Sequence, residues 1–419
     1  MNHSATPLKT PMLLFSVVLL LITFSIPAHA LYERQTDQGS IDLRGLVRVF
    51  GTANKYPDNK FFYEDEIESG VAAIARLIMH AQAGQHLGFE LNAYQTLIPN
   101  SMVSRQASLG TPLDVERNSS PEGSFSNDRY AHLAIDRLNA RWSHDRLDLI
   151  IGRQPVNLAT TFYFTPNDFF APFAAQTFYR VYKPGVDAAR AEVRLGDLSQ
   201  LSLIGVLGYR RDPSGDTGWK DYPDSDRASY LGRVSTVFHD FEWAILGGVV
   251  RDDDVIGGSL QGELFQWLGV RSEGHITYPD DPQLFSRTDL SFGIEHRWES
   301  SLNMRLEHFY HSSGAGSVAE YSTIGTTSQG ESGYLGRNYT AFGISYEFTP
   351  LMNAQMLAIA NLTDHSCLLS FNSVYSLSDE AELTINLGVP LGDKPEGAEI
   401  KSEFGLYPWS MNVEVRSYF

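Results

Sequence analysis

The sequence predicts an all-β chain closed into a transmembrane antiparallel barrel of about 18 strands, with about 16 as the alternative count. Three observations predict it. Apolar and polar residues alternate with period two in segment after segment. Beyond residue 30 no apolar run is long enough for a membrane helix, although the chain carries 35 Gly, 24 Phe and 20 Tyr. The chain also ends on an alternating segment, MNVEVRSYF, in which Met411, Val413, Val415 and Phe419 share one parity and Asn412, Glu414, Arg416 and Tyr418 the other. Most domains end in frayed polar residues. A strand that runs to the last residue needs a partner, and in a closed sheet that partner is the first strand.

Residues 1–30 read as a signal peptide: Lys9, an apolar core from Pro11 to Pro27, and the small-x-small site Ala28-His29-Ala30. A membrane anchor is the other reading of that run, but no basic stop-transfer cluster follows it. Residues 31–419 then form the barrel, 419 − 30 = 389 residues, and loss of Lys9 takes the formal charge from −18 to −19. So acidic a chain is not expected to bind nucleic acid. Cys367 is the sole cysteine, which excludes an intrachain disulfide and points to a bacterial envelope rather than a eukaryotic secretory route.

The alternation can be followed along the chain. Ile41, Leu43, Val47 and Val49 oppose Asp42, Arg44 and Arg48; Leu87, Phe89 and Leu91 oppose Glu90 and Asn92. Ala189, Ala191 and Val193 oppose Arg190, Glu192 and Arg194, and Leu201, Leu203 and Leu207 follow after a short turn. Trp243 and Ile245, Leu290 and Phe292, Leu302 and Leu306, and Leu383, Ile385 and Leu387 continue the pattern. Parity breaks near Asp136, within the stretch from Asn127 to Trp142. A sandwich with one dry face also alternates. Segments of about 10 to 13 residues, connections alternating short and long, and aromatics such as Trp142, Trp298 and Trp409 near strand ends favour the membrane barrel.

Short turns are expected around Gly84, His144, Gly196-Asp197, His239-Asp240, Phe265-Gln266-Trp267, Ser300, Thr349-Pro350 and Ser378-Asp379. Long loops are expected near 99–128, 154–184, 211–227 and 312–338. Tyr56-Pro57-Asp58, Tyr222-Pro223-Asp224 and Tyr278-Pro279-Asp280 read as three openings of connections on one rim, because Pro ends ladder pairing and Asp favours a turn.

The barrel interior follows from the charges. The chain has 25 Arg and 7 Lys, and the Arg fall inside strands opposite the apolar parity. A charge held against lipid at mid-depth costs roughly 2–4 kcal/mol, so these arginines must point inward. Candidate pore-lining residues are Arg44, Arg48, Arg76, Arg153, Arg190, Glu192, Arg194, Arg210, Arg233, Arg271, Arg297 and Arg305. Strand carboxylates such as Glu90, Glu242, Glu273, Glu295, Glu307 and Glu414 share that parity. Two readings fit: cross-strand ion pairs that hold the wall, or surplus arginine forming a track for anionic solute, with Arg180, Arg190, Arg194, Arg210, Arg211 and Arg233 as its core. The loop at 154–184 is aromatic, proline-bearing and poor in charge, with Phe162, Phe164, Asn167, Asp168, Phe169 and Phe170 at its centre. It reads either as a constriction folded into the lumen or as a surface for a partner.

The strand end Gly152-Arg153-Gln154, this loop and the returning strand GVDAARAEVRL resemble the corresponding stretch of the pseudomonad substrate-specific porins and the alginate-export porin. The resemblance implies a monomeric outer-membrane channel with arginines lining its pore, and a structural or pore-lining role for Arg153, Arg190 and Arg194. FTPNDFFAPF matches neither family, so no substrate is implied. Strand parity sets Arg153 with Leu147, Leu149 and Ile151, facing lipid, unless Gly152 forms a bulge. Phe419 resembles the terminal aromatic of the outer-membrane assembly signal, with Ser417 where that signal often carries another aromatic.

Enzyme signatures are missing: there is no GxSxG and no HExxH. His308 and His311 would face opposite sides of a strand, a poor metal pair. Asp252-Asp253-Asp254 reads as a solvated loop or as a divalent-cation site beside lipopolysaccharide. The expectation is a non-enzymatic outer-membrane channel, without cofactor or metal, for small hydrophilic and anionic solutes. Its expected partners are outer-membrane lipid, lipopolysaccharide and the barrel-assembly machinery. A barrel-embedded hydrolase and an adhesin or structural barrel are the alternatives.

Overall fold

The computed structural model describes residues 31–99, 122–126, 129–211, 221–322 and 333–419, so the expected signal peptide at 1–30 lies outside the described residues. The first strands are β1 (Tyr32–Thr36), β2 (Gly39–Lys55), β3 (Ile67–Ala83), β4 (Leu87–Pro99), β5 (Glu122–Ser126), β6 (Arg129–His144) and β7 (Leu147–Gln154). Next come β8 (Val186–Arg194), β9 (Ser199–Arg211), β10 (Asp221–Phe238), β11 (Phe241–Val250), β12 (Asp253–Leu264), β13 (Leu268–Tyr278) and β14 (Arg287–Arg297). The last are β15 (Asn303–His311), β16 (Asn338–Thr349), β17 (Met352–Asn361), β18 (Cys367–Ser378), β19 (Ala381–Leu391) and β20 (Trp409–Tyr418).

Eighteen of these strands close a ring. From β2 each pairs antiparallel with the next, with β4 meeting β6 directly, until β20 pairs back onto β2. β1 and β5 are short additions against β2 and β6. A strand of 11 residues, rising about 3.3 Å each and tilted about 40°, covers about 28 Å of bilayer normal, close to the hydrocarbon thickness. The seal runs from Leu46 opposite Tyr418 to Lys55 opposite Trp409. Beyond it Phe419 and Gly45 exchange backbone hydrogen bonds. Gly45 leaves room for the Phe419 ring, which would have to shift if a Cβ stood there, 2.1 Å away.

The two faces separate as the alternation demands. Ile245, Ile151 and Leu207 are 70%, 65% and 55% exposed, whereas Glu273, Glu307 and Asn92 on the other face are each 1% exposed. Parity slips once where the sequence signals it. Asn92 and Ala93 face Arg137 and Ile135, so Asp136 is the extra residue of a bulge. The bulge turns Asp136 inward, where it accepts from Arg76 Nη1 at 2.7 Å.

All eight expected short turns lie on one rim, each between consecutive ring strands. His239 and Asp240 both have positive φ, 51° and 62°, as do Phe265 and Gln266 at 57° and 62°. The His239-Asp240 hairpin thus carries the handedness that matches strand twist without any glycine. Arg251 and Asp252 form a similar turn on the opposite rim, leaving Asp253 and Asp254 in β12. The Asp252-Asp253-Asp254 run is therefore a hairpin, with Asp253 held by Arg287 at 2.6 Å.

One expectation is corrected. Tyr222-Pro223-Asp224 does not open a loop but pairs within β10 opposite Arg210, Tyr209 and Gly208. Its proline is tolerated because the strand has only just begun and bulges between Asp224 and Ser229. β9 runs to Arg211 and β10 begins at Asp221, so both ends of the loop expected at 211–227 belong to strands, and residues 212–220 lie outside the described residues.

Val47 stands directly opposite Ser417 in the closing seam. With Cys367→Ser as background, Val47→Cys combined with Ser417→Cys is expected to cross-link almost fully on oxidation of the folded protein. Val47→Cys with Met411→Cys should not. Equal cross-linking of both pairs by gel mobility would refute the register.

Candidate functional site

The connection from β7 to β8, residues 155–185, touches strands on opposite sides of the ring. Its residues Val156, Leu158 and Phe170 pack against interior residues of β8 to β12, among them Val186, Ile204, Leu231 and Leu246. These strands are apolar on both faces at this level because the segment, not water, covers the inner one. At the far wall Phe164 stacks on Phe309 with ring centroids 5.0 Å apart, and joins Tyr339 and Phe404 in a second apolar cluster. Tyr163 reaches β16, where Gly343 leaves the space its hydroxyl occupies: a Cβ there would sit 1.7 Å from that oxygen.

Wall arginines hold aromatic rings of this segment. Phe162 lies between Arg271 and Arg305, whose guanidinium carbons are 4.1 and 4.0 Å from the ring centroid. Tyr179 lies against Arg48 and Arg416 at 4.7 and 3.9 Å, and Tyr182 against Arg76 at 4.3 Å. Each desolvated contact of this kind contributes up to about 2 kcal/mol. The backbone is held by carboxylates. Glu273 accepts from the amides of Thr160, Thr161 and Asn167, and Glu307 from those of Phe162, Tyr163 and Phe164.

Inside the segment, Lys183 Nζ donates to Asp168 Oδ2. Burial raises the Asp168 carboxyl above its ordinary value and lowers the Lys183 ammonium, so desolvation outweighs their mutual attraction. Asn167 also donates from Nδ2 to Gly258 O at 3.0 Å, and Phe169 meets the His275 ring edge-on at 4.8 Å. Phe170 is buried in the first apolar cluster. A cavity of about 100 Å³ borders Asp168, Phe169, Arg251, His275 and Tyr334. A second, of about 150 Å³, lies beside Phe162, Arg180, Asn303, Arg305 and Gln355.

Most sequence-predicted arginines carry a carboxylate partner. Arg48 grips Glu414 through two contacts of 2.7 and 2.8 Å, and Arg44 meets Asp42 at 2.7 Å. Arg190 lies 3.3 Å from Glu192, and Arg233 lies 2.9 Å from Glu242. Arg271 and Arg305 share the single carboxylate of Glu295, each at 3.2 Å. Arg194 donates to Asp145 O at 2.7 Å near the short-turn rim, and Arg297 is exposed at the end of β14. Arg210 occupies β9 opposite Tyr222, and Arg211 ends that strand opposite Asp221.

Two expectations change. The β6–β7 register runs without a slip, so Gly152 makes no bulge and Arg153 keeps the parity of Leu149 and Ile151. It lies off the interior face, paired with Asp187 at 2.7 and 2.8 Å, with the Tyr209 hydroxyl also on Asp187. Arg180 does not join Arg190, Arg194 and Arg233. It donates to carbonyls of Phe162, Ala175 and Thr177 within the segment and stands beside Arg305. Sequence reasoning missed Tyr163, Tyr179 and Tyr182, which only the fold brings to the wall. It also read Glu273 and Glu307 as partners of arginine, whereas they bind amides.

At the long-loop rim a buried polar network ties three connections together. Tyr339 donates to Glu403, Asn361 Nδ2 lies 2.7 Å from Glu403 Oε2, and Tyr321 donates to Asp364 Oδ2 at 2.7 Å. The Glu403 amide donates to the same Asp364 oxygen at 2.7 Å. Complete burial, aided by Asp364, pushes the Glu403 carboxyl up from 4.5 to about 7. Among the described residues no cluster of three or more His, Cys, Asp or Glu is arranged to hold a metal ion.

No protein-family model and no curated protein matches the chain. Solved structures do match it. Acinetobacter baumannii OccAB3 matches with TM-score 0.55 and 11% identity over 90% of this chain and 99% of that one. The Pseudomonas aeruginosa outer membrane protein OpdK matches with TM-score 0.54 and 10% identity over 90% and 98%. Pseudomonas aeruginosa OccK2, solved in complex with glucuronate, matches with TM-score 0.52 and 10% identity over 90% and 96%. What is shared at these identities is the fold.

The raised Glu403 value has a definite sign. The folded protein holds this proton more tightly than the unfolded chain, so its contribution is fully present below about 4.5 and is lost as pH rises through about 7. The apparent Tm in detergent is expected to fall across that window, and Glu403→Gln should flatten that part of the fall. An unchanged pH profile in the variant would contradict the assignment.

Proposed function

We propose that the chain is a bacterial outer-membrane porin, a passive channel for small hydrophilic, anionic solutes, and not an enzyme. The observation that carries this reading is a closed ring, apolar outside and charged inside, crossed by a segment fixed to its inner wall. Such a ring of 18 strands encloses an aqueous lumen, and the segment makes its narrow level. Residues 155–185 are the constriction, with Phe162, Phe164, Asn167, Asp168 and Phe169 set along it and Phe170 anchoring it.

Anions are favoured because Arg271 and Arg305 share the Glu295 carboxylate with Arg180 standing beside Arg305, while the neighbouring Glu273 and Glu307 carboxylates are enclosed by backbone amides of the segment. The glucuronate held by OccK2 is a solute of this class. Solute moves down its gradient past Arg48, Arg76, Arg190, Glu192, Arg233, Arg271 and Arg305, while Arg44, Arg194, Arg210 and Arg297 complete the lined path. Leu31 and Phe419 both lie at the short-turn rim, which supports a periplasmic rim reached after cleavage of the signal peptide. The opposite rim would face lipopolysaccharide. Phe419 would serve the barrel-assembly machinery as well as the seam.

Planar-bilayer recording under a salt gradient tests this reading. Purified protein should give discrete conductance steps with a reversal potential on the anion side. Replacing Arg271 and Arg305 by Ser should move that potential towards cations. Silence from folded protein would contradict the channel and favour a hydrolase or adhesin; an unmoved potential would contradict the anion preference.

A further inference from the structure

Glu273 and Glu307 project from β13 and β15 on either side of a shallow place in the wall. Between them β14 presents Ser291, fully buried, and Gly293. Glu273 stands opposite Ser291, and Glu307 opposite Gly293, so the two carboxylates are offset by one row across that groove. The segment's backbone lies in it. Five consecutive amides, those of Thr160 to Phe164, donate to these two carboxylates, and the amide of Asn167 returns to Glu273 at 2.9 Å. Glu307 Oε1 accepts from Phe164 at 2.6 Å and from Tyr163 at 3.0 Å.

Consecutive amides curved round an anion form a nest, and here the anion belongs to the barrel wall. A carboxylate offers about four lone-pair sites, enough for three amides each, and such charge-assisted bonds are about twice as strong as neutral ones. The grip acts on backbone and not on side chains. It therefore fixes where Phe162 and Asn167 stand whatever solute passes them.

Building on the channel reading, we propose that Glu273 and Glu307 are positioning residues that set the aperture, holding the constriction against the wall so that the open state has one width. Neither needs to touch solute. Glutamine keeps the shape of each side chain but offers a single acceptor oxygen and turns an NH2 group towards backbone amides. The segment should then leave the groove.

The test is single-channel recording of Glu273→Gln, Glu307→Gln and the double variant, with folding verified by heat-dependent gel mobility. The result expected is an altered unitary conductance and the loss of the single quiet open level, largest in the double variant. The same substitutions are then made in a chain whose residues 157–182 are replaced by a short Gly-Ser linker, where they should change nothing further. If the double variant folds only in the shortened chain, the carboxylates are tied to the segment as proposed. Wild-type conductance in full-length variants would overturn the proposal, as would equal effects in both backgrounds or failure to fold in both. A silent wild-type protein would instead refute the channel reading.

Discussion

A backbone amide or carbonyl left unpaired in hydrocarbon costs several kcal/mol, and a sheet that crosses a bilayer can satisfy every such group only by having no edge. The seam between β2 and β20 meets that constraint. It accounts for the backbone hydrogen bonds that Phe419 exchanges with Gly45. It also explains the closeness of that contact, because Gly45 has no side chain to displace the final ring. Closure in turn fixes parity, since each side chain then meets either lipid or the interior.

The interior must solve a second problem. Arginines turned inward are buried unless water or a partner reaches them, and the structure answers with carboxylates on neighbouring strands and rings from residues 155–185. Arg48 shows both, gripping Glu414 and facing Tyr179. Arg271 and Arg305 show how one carboxylate serves two cations while Phe162 fills the gap between them. The wall and the crossing segment are thus one packed unit, joined by apolar contact at β8 to β12 and by carboxylate–amide bonds at β13 and β15.

Most of the ring was legible in the sequence, because lipid on one side and polar groups on the other impose alternation directly on residues such as Leu383, Thr384 and Ile385. The break at Asp136 was legible for the same reason. Less could be read where a residue's neighbour comes from far along the chain. Leu246 is apolar and faces inward, against a segment that begins some ninety residues earlier. Ile245-Leu246 and Leu203-Ile204, apolar on both parities, were the available signal that something apolar covers β9 and β11 from within. Nothing local distinguishes Glu273, which binds amides, from Glu295, which binds arginine. Arg153 differs again: its parity was readable, but its neutralisation by Asp187 depends on the register of β7 against β8.

Closure with this parity requires neighbouring residues of one strand to meet two different media. Spin labels attached singly at Asn386 and Leu387 of β19, in a Cys367→Ser chain reconstituted in lipid, test it most directly. The label at 387 should be relaxed by oxygen dissolved in the bilayer, and the label at 386 by a water-soluble nickel complex. Equal accessibility of both labels to the water-soluble reagent would contradict it.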